Sequence, residues 1–202
     1  MQSVAIIDYG VGNLYSLSSS LRKAGASPTI AETAEQLVDS DAIILPGVGS
    51  FPTASRNLKP FRSTLFELIL DEKRPVLGIC LGMQLLLQES EEGEGKGLEI
   101  LRGRVVSLPD TVKRPHMGWN TLEIVREDDL VRGVPNGAFA YFNHSYYPQI
   151  HDRDLTLAET DYGLRFASII AKENVYGTQF HPEKSGATGP QILRNFIDLT
   201  KR

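Results

Sequence analysis

The fold is decided by 75-PVLGICLGMQLL-86. An apolar run leads into Gly78-Ile79-Cys80-Leu81-Gly82, and an amphipathic run with Leu81, Leu85 and Gln88 at helical spacing leads out. The pattern predicts a buried strand over residues 75–79, a sharp turn, and a helix. Cys80 is the only cysteine in 202 residues, in a chain with 18 glycines. A residue between a buried parallel strand and the next helix sits at the carboxyl edge of the sheet, where open α/β sheets bind ligands. Small neighbours let the chain turn sharply there, as in the G-x-S-x-G elbow, with cysteine replacing serine. The sulfur is then held out above the sheet at a helix N-terminus, whose positive end favours an anion. The N–H of Leu81 points where an oxyanion would form. Most lone cysteines are small buried hydrophobes; the two glycines and the strand-to-helix position weigh toward a nucleophile.

The same grammar extends outward from this turn. Residues 4–7 and Ala42–Leu45 are short apolar runs closed by Asp8-Tyr9-Gly10-Val11-Gly12 and Pro46-Gly47-Val48-Gly49. Asn13 is placed to cap a helix whose apolar face is Leu14, Leu17, Leu21 and Ala24. Phe61, Leu65, Leu68 and Ile69 suggest a second helix. Strand, turn and helix repeated in this way predict parallel βαβ units with helices on both faces of the sheet. The second half reads differently, with strands over 121–125, 138–142, 155–159, 166–171 and 175–180, joined by short turns into a mixed or antiparallel region. A helix over about 190–200 closes the chain, with Ile192, Leu193, Phe196 and Ile197 inward. The acidic 91-EEGEGKG-97 reads as a solvated loop. No linker divides the chain, so 1–202 is expected to form a single domain.

Composition sets limits on function. The chain is 41% hydrophobic and 23% charged, the balance of a globular protein. A net charge of −4 argues against a nucleic-acid surface. No stretch has the apolar length of a membrane span, and the start reads as a first strand rather than a signal peptide. One cysteine excludes an internal disulfide, so a cytoplasmic location is expected.

A thiol nucleophile needs a base. Of His116, His144, His151 and His181, the best candidate is His181, in His181-Pro182-Glu183, where a strand ends and a carboxylate stands two residues on. In extended chain His181 and Glu183 face the same side, so Glu183 can orient the imidazole as the third member of a triad does. The glycines of Pro46-Gly47-Val48-Gly49 can expose a second oxyanion donor near the same edge.

Gly78-Ile79-Cys80-Leu81-Gly82-Met83-Gln84 with His181-Pro182-Glu183 resembles the triad (class I) glutamine amidotransferases. The stretches 8-DYGVGN-13, 46-PGVGSF-51, 115-PHMGWN-120 and 179-QFHPEKS-185 resemble, within that family, the glutaminase subunits of imidazole glycerol phosphate synthases. The resemblance implies a flavodoxin-like three-layer α/β fold and hydrolysis of L-glutamine to glutamate and ammonia through a thioester on Cys80. It implies His181 as base and then acid, with Glu183 holding it. Gly47, Val48, Gly49 and Leu81 would form the oxyanion hole, with the Val48 peptide reorienting. Gln84 and the backbone of Ser145 and Tyr146, in 143-NHSYY-147, would read glutamine. Ammonia would pass to a (β/α)8-barrel cyclase, docked on Asn13, Met117, Trp119, Tyr141 and Lys184. No cofactor and no metal is implied, and Asn143 is expected not to touch the triad.

Three rivals compete with this reading. The amidotransferase subunit of pyridoxal phosphate synthesis is expected to carry a Gly-Gly-Glu-Ser type loop in place of 46-PGVG-49. Cysteine hydrolases related to intracellular peptidases place a histidine after the cysteine, where this chain has Leu81. A catalytically silent docking subunit would have no need of Cys80, His181 and Glu183 together.

Overall fold

The computed structural model describes residues 1–201. The first half runs β1 (Ser3–Ile7), α1 (Leu14–Lys23), β2 (Ser27–Ala31), β3 (Ala42–Leu45), α2 (Phe51–Asn57), α3 (Arg62–Phe66), β4 (Val76–Ile79) and α4 (Leu81–Leu85). The second half runs β5 (Glu89–Ser90), β6 (Arg104–Ser107), β7 (His116–Ile124), β8 (Ala138–His144), β9 (Tyr146–Gln149), β10 (Thr156–Asp161), β11 (Arg165–Lys172), β12 (Val175–Thr178) and α5 (Thr188–Leu199).

A nine-stranded sheet has the order β2-β1-β3-β4-β12-β11-β10-β7-β8. Its first five strands are parallel, in the flavodoxin-like order, and the remaining four add antiparallel pairings. A small second sheet, β5-β6-β9, lies beside it. The apolar runs of β1 and β3 are continuous because both faces of these strands are covered. Val4, Ile6 and Ile44 pack with Leu17 and Leu21 of α1 and with Ile192 and Phe196 of α5. Ala5, Ile7, Ile43 and Leu45 point the other way, onto Phe51 of α2 and Leu65 of α3. The result is the expected α/β architecture of helix, sheet and helix layers.

Local departures have identifiable causes. β2 gives no apolar signal because it is the sheet's edge: Ser27, Thr29 and Ile30 are exposed, and Pro28, which has no N–H, is tolerated there. β7 begins at His116, well before the expected 121, because its first half lies on an uncovered face with Met117 and Trp119 outward. α4 ends at Leu85, short of Gln88, whose side chain instead accepts from the N–H of Gly103 at 3.2 Å. The 91–97 segment is more than a solvated loop. Glu92 accepts from the N–H of Phe51 at 2.7 Å, and the Ser55 hydroxyl donates to the Lys96 carbonyl at 2.7 Å.

The glycines around Cys80 are explained by contact. A Cβ on Gly82 would lie 1.8 Å from the Leu45 carbonyl oxygen, and one on Gly78 would lie 2.6 Å from the Gly82 carbonyl. β3, β4 and α4 therefore meet backbone to backbone. We expect Gly82→Ala to lower the thermal midpoint by roughly 6–12 °C, the equivalent of about 3 kcal/mol in a chain of this size. Differential scanning calorimetry checks this, and a midpoint equal to the parent's contradicts the packing described.

Candidate active site

Cys80 is the cap of α4 and has a left-handed backbone, with φ +54° and ψ −107°. A non-glycine residue held there is strained, and the surroundings must enforce it. The Cys80 N–H donates to the Thr178 carbonyl of β12 at 2.7 Å, and the first bond of α4 is Gln84 N–H to the Cys80 carbonyl at 3.2 Å. The N–H groups of Leu81, Gly82 and Met83 thus begin the helix without an acceptor inside it.

β12 leads to His181, the expected base. The His181 N–H donates to the Tyr141 carbonyl of β8 at 2.9 Å, and Ser185 Oγ donates to the His181 carbonyl at 2.6 Å. His181 Nδ1 is 3.0 Å from Glu183 Oε1. The geometry differs from the extended one expected, since Pro182–Lys184 form a 3-10 turn that folds Glu183 back. With Nδ1 engaged, Nε2 is left for the thiol; it is buried without a hydrogen-bond partner. Burial opposes a charge on His181, but the neighbouring Cys80 and Glu183 outweigh it and raise its pKa to about 10.

The cleft beside the sulfur measures about 300 Å³ and is lined by Val48, Gly49, Cys80, Leu81, Gln84, Glu92, Asn143, His144, Ser145 and Tyr146, with Pro115 at its rim. Gly47 sits behind it, where an added Cβ would be 2.6 Å from Leu81 Cβ. The 46–49 segment is anchored at both ends. The Tyr9 hydroxyl donates to the Pro46 carbonyl, and Glu92 holds the N–H of Phe51. Between these anchors Val48 is 40% exposed and Gly49 has φ +121°. Tyr9 is buried, and its pKa is raised by burial first and by nearby Cys80 second. A larger depression of about 790 Å³ lies in the β7–β8 connection, lined by Arg126, Asp128 and Arg132 among others, and holds no nucleophile.

Several contacts around Cys80 were not read from the sequence. Asn143 does reach the triad: its carbonyl is 3.7 Å from Cys80 Sγ, because β8 passes over the elbow. Gln179 is fully buried, and its Nε2 lies 3.6 Å from the same sulfur. Gln84 lines the cleft, but its Nε2 donates to the Tyr146 carbonyl at 3.0 Å and to Gln179 Oε1 at 3.1 Å. His116 and His144, set aside for want of a carboxylate, form a buried pair at 3.0 Å, and His144 Nδ1 is 2.8 Å from the Tyr146 carbonyl. A carbonyl only accepts, so His144 carries its proton on Nδ1 and His116 donates to His144 Nε2. Burial lowers His116 to about 4; burial, then the charge of His116, lowers His144 to about 3.

Of the residues expected to dock a partner, Trp119, Tyr141 and Lys184 form one cluster. Met117 and Trp119 are 62% and 55% exposed. Tyr141 meets Trp119 edge-on, with ring centroids 5.9 Å apart, and Lys184 Nζ is 5.8 Å from the Tyr141 ring. Asn13 caps α1, accepting from the Ser16 N–H at 3.2 Å.

The model of the family Glutamine amidotransferase class-I matches residues 5–199. The imidazole glycerol phosphate synthase subunit HisH of Halobacterium salinarum is 50% identical over 97% of this chain and 93% of its own length. The protein of the same name from Methanosarcina mazei is 47% identical over 98% and 100%. Among solved structures, one described as a glutamine amidotransferase superimposes with a TM-score of 0.79 at 18% identity, covering 98% of this chain and 99% of that one. PurLQS from Thermotoga maritima gives 0.80 at 17%, with the same coverage.

The histidines make a pH prediction. His116 and His144 stay neutral in the fold but charge near 6.5 once unfolded, so the unfolded state binds more protons as the pH falls from about 6.5 to 4. Stability should drop across that window by up to about 1.4 kcal/mol per pH unit for each histidine. His181 acts oppositely: its contribution is complete below about 6.5 and is lost as the pH rises toward 10. Urea unfolding between pH 6.5 and 4.5, above the range where most carboxylates titrate, measures the acid limb, and a flat profile contradicts a neutral pair.

Proposed function

The chain belongs to the class-I glutamine amidotransferase family, and on that premise we infer that it is the glutaminase subunit of an imidazole glycerol phosphate synthase. The observation that carries the catalytic reading is the strained Cys80 at the edge of a cleft of about 300 Å³, electrostatically coupled to a His181 that Glu183 anchors. Glutamine enters beside Val48 and Tyr146. Glu92 is the one carboxylate among the described residues lining that cleft, and it suits the α-ammonium group of the substrate.

The Cys80 sulfur attacks the carboxamide carbon and a C–S bond forms. The oxyanion is held by the Leu81 N–H and by an N–H of the Gly47-Val48-Gly49 segment, the latter after the Val48 peptide turns. His181, kept protonated by the neighbouring Cys80 sulfur and by Glu183, hands its proton to the departing nitrogen, and ammonia leaves. Water then attacks the thioester, His181 accepts its proton, the C–S bond breaks and glutamate is released. Gln84 acts here by fixing the Tyr146 peptide that faces the substrate.

Ammonia released into water is protonated and loses its nucleophilicity. The reading therefore includes a (β/α)8-barrel cyclase partner that receives it and makes imidazole glycerol phosphate, docked on Asn13 and the face of Met117, Trp119, Tyr141 and Lys184. Tyr141 carries both a docking ring and the carbonyl that holds the His181 N–H, so docking and catalysis share one residue. The family reading also assigns the protein to the cytoplasm; among the described residues no helix is long and apolar enough to cross a membrane.

Two outcomes follow. Cys80→Ala should abolish glutamine-dependent synthesis by the complex while ammonium salts still support it; loss of both activities contradicts channelled ammonia. Trp119→Ala and Lys184→Ala should each weaken association with the barrel subunit by roughly tenfold, or about 1.4 kcal/mol, on titration calorimetry. Unchanged affinity removes these residues from the docking face.

A further inference from the structure

The hydrogen bonds around the nucleophile have a single direction that can be followed to the sulfur. The Tyr146 carbonyl is an obligate acceptor, so the group of Gln84 facing it at 3.0 Å must be its NH2. The same NH2 reaches Gln179 at 3.1 Å, so the oxygen of Gln179 faces Gln84 and its NH2 faces Cys80 Sγ at 3.6 Å. Gln179 is fully buried, so no water competes for that donor. We propose that Gln179 is a further catalytic residue, an amide donor that stabilises the anionic sulfur as it attacks glutamine and again as it departs from the thioester.

The chemistry needs such a group at two moments. When Cys80 attacks, the sulfur must approach as an anion while its proton rests on His181. When the thioester is cleaved, the C–S electron pair returns to sulfur before that proton comes back. A buried anion is costly unless it is hydrogen-bonded, and an N–H···S⁻ bond is a charge-assisted one. The Asn143 carbonyl, 3.7 Å from the sulfur, accepts only from the neutral thiol and opposes the anion. The Gln179 amide therefore offsets a contact that favours the neutral thiol. The strand explains the placement: Gln179 lies two residues before His181, and its N–H still pairs with the Ser168 carbonyl of β11 at 2.9 Å.

This inference rests on Cys80 being the nucleophile, and its test keeps the two apart. The probe is iodoacetamide alkylation of Cys80 in the full chain, read by mass spectrometry from pH 6 to 9. The titratable groups coupled to the sulfur are His181 and Tyr9, and both stay in place. Gln179→Met removes the donor at similar length and should slow alkylation at neutral pH about tenfold, moving its pH profile toward alkali. Gln179→Glu keeps the acceptor that Gln84 uses but sets an oxygen against the sulfur; at pH 8 it should be at least as slow as the methionine variant. A glutamate variant that alkylates like the parent overturns the proposal, because Gln179 would then serve only to hold Gln84. Should the methionine variant fail to fold, the glutamate variant alone decides by the same criterion. A parent chain that reacts no faster than free cysteine overturns the nucleophile reading itself, and this proposal with it.

Discussion

The site depends on one steric constraint, the contact of Gly82 with the Leu45 carbonyl. An added Cβ would lie 1.8 Å from that oxygen, so α4 starts directly against the end of β3. Such closeness leaves no room for an ordinary strand-to-helix turn, and Cys80 takes φ +54° instead. The strain turns the thiol out over the sheet edge toward His181. The same closeness presses Gly47 onto Leu81, setting the 46–49 segment against the start of α4.

A second layer of order is electrostatic. The acceptor-only Tyr146 carbonyl fixes the orientation of Gln84 and Gln179 on one side and of His144 and His116 on the other. The donor chain on the histidine side continues to Asn120, whose amide is 3.3 Å from His116 Nε2 and donates to the Asp161 carbonyl at 2.9 Å. A polar chain thus runs under β7, the strand that turns Met117 and Trp119 outward. Within this chain each group's donor and acceptor sides are fixed by its neighbour, which is how buried networks specify a unique arrangement.

Much of this was legible in the sequence. The parallel half of the fold announced itself because buried strands are short apolar runs with glycine at their ends. The elbow at Cys80 and the pairing of His181 with Glu183 were legible because a glycine frame and a His-Pro-Glu each have a mechanical reason. β2 was not, since an edge strand with Pro28 carries no apolar run. The early start of β7 was hidden by side chains that face outward. Glu92 was hidden in an acidic, glycine-rich stretch whose composition reads as solvated. Gln179 stood in a quoted motif, but its role depends on Gln84 meeting it across the sheet edge, and local pattern does not report such long-range pairings. A signal was present all the same: a glutamine directly after a buried strand must be satisfied by something polar and buried.

The central claim is that Cys80 alone is activated to attack the side chain of glutamine. Mass spectrometry after treatment with diazo-oxo-norleucine, a glutamine analogue that traps nucleophiles, tests it most directly. The account predicts a single adduct, on Cys80, lost when His181 is replaced by alanine. An adduct on another residue, or none under conditions that support glutamine hydrolysis, would contradict it.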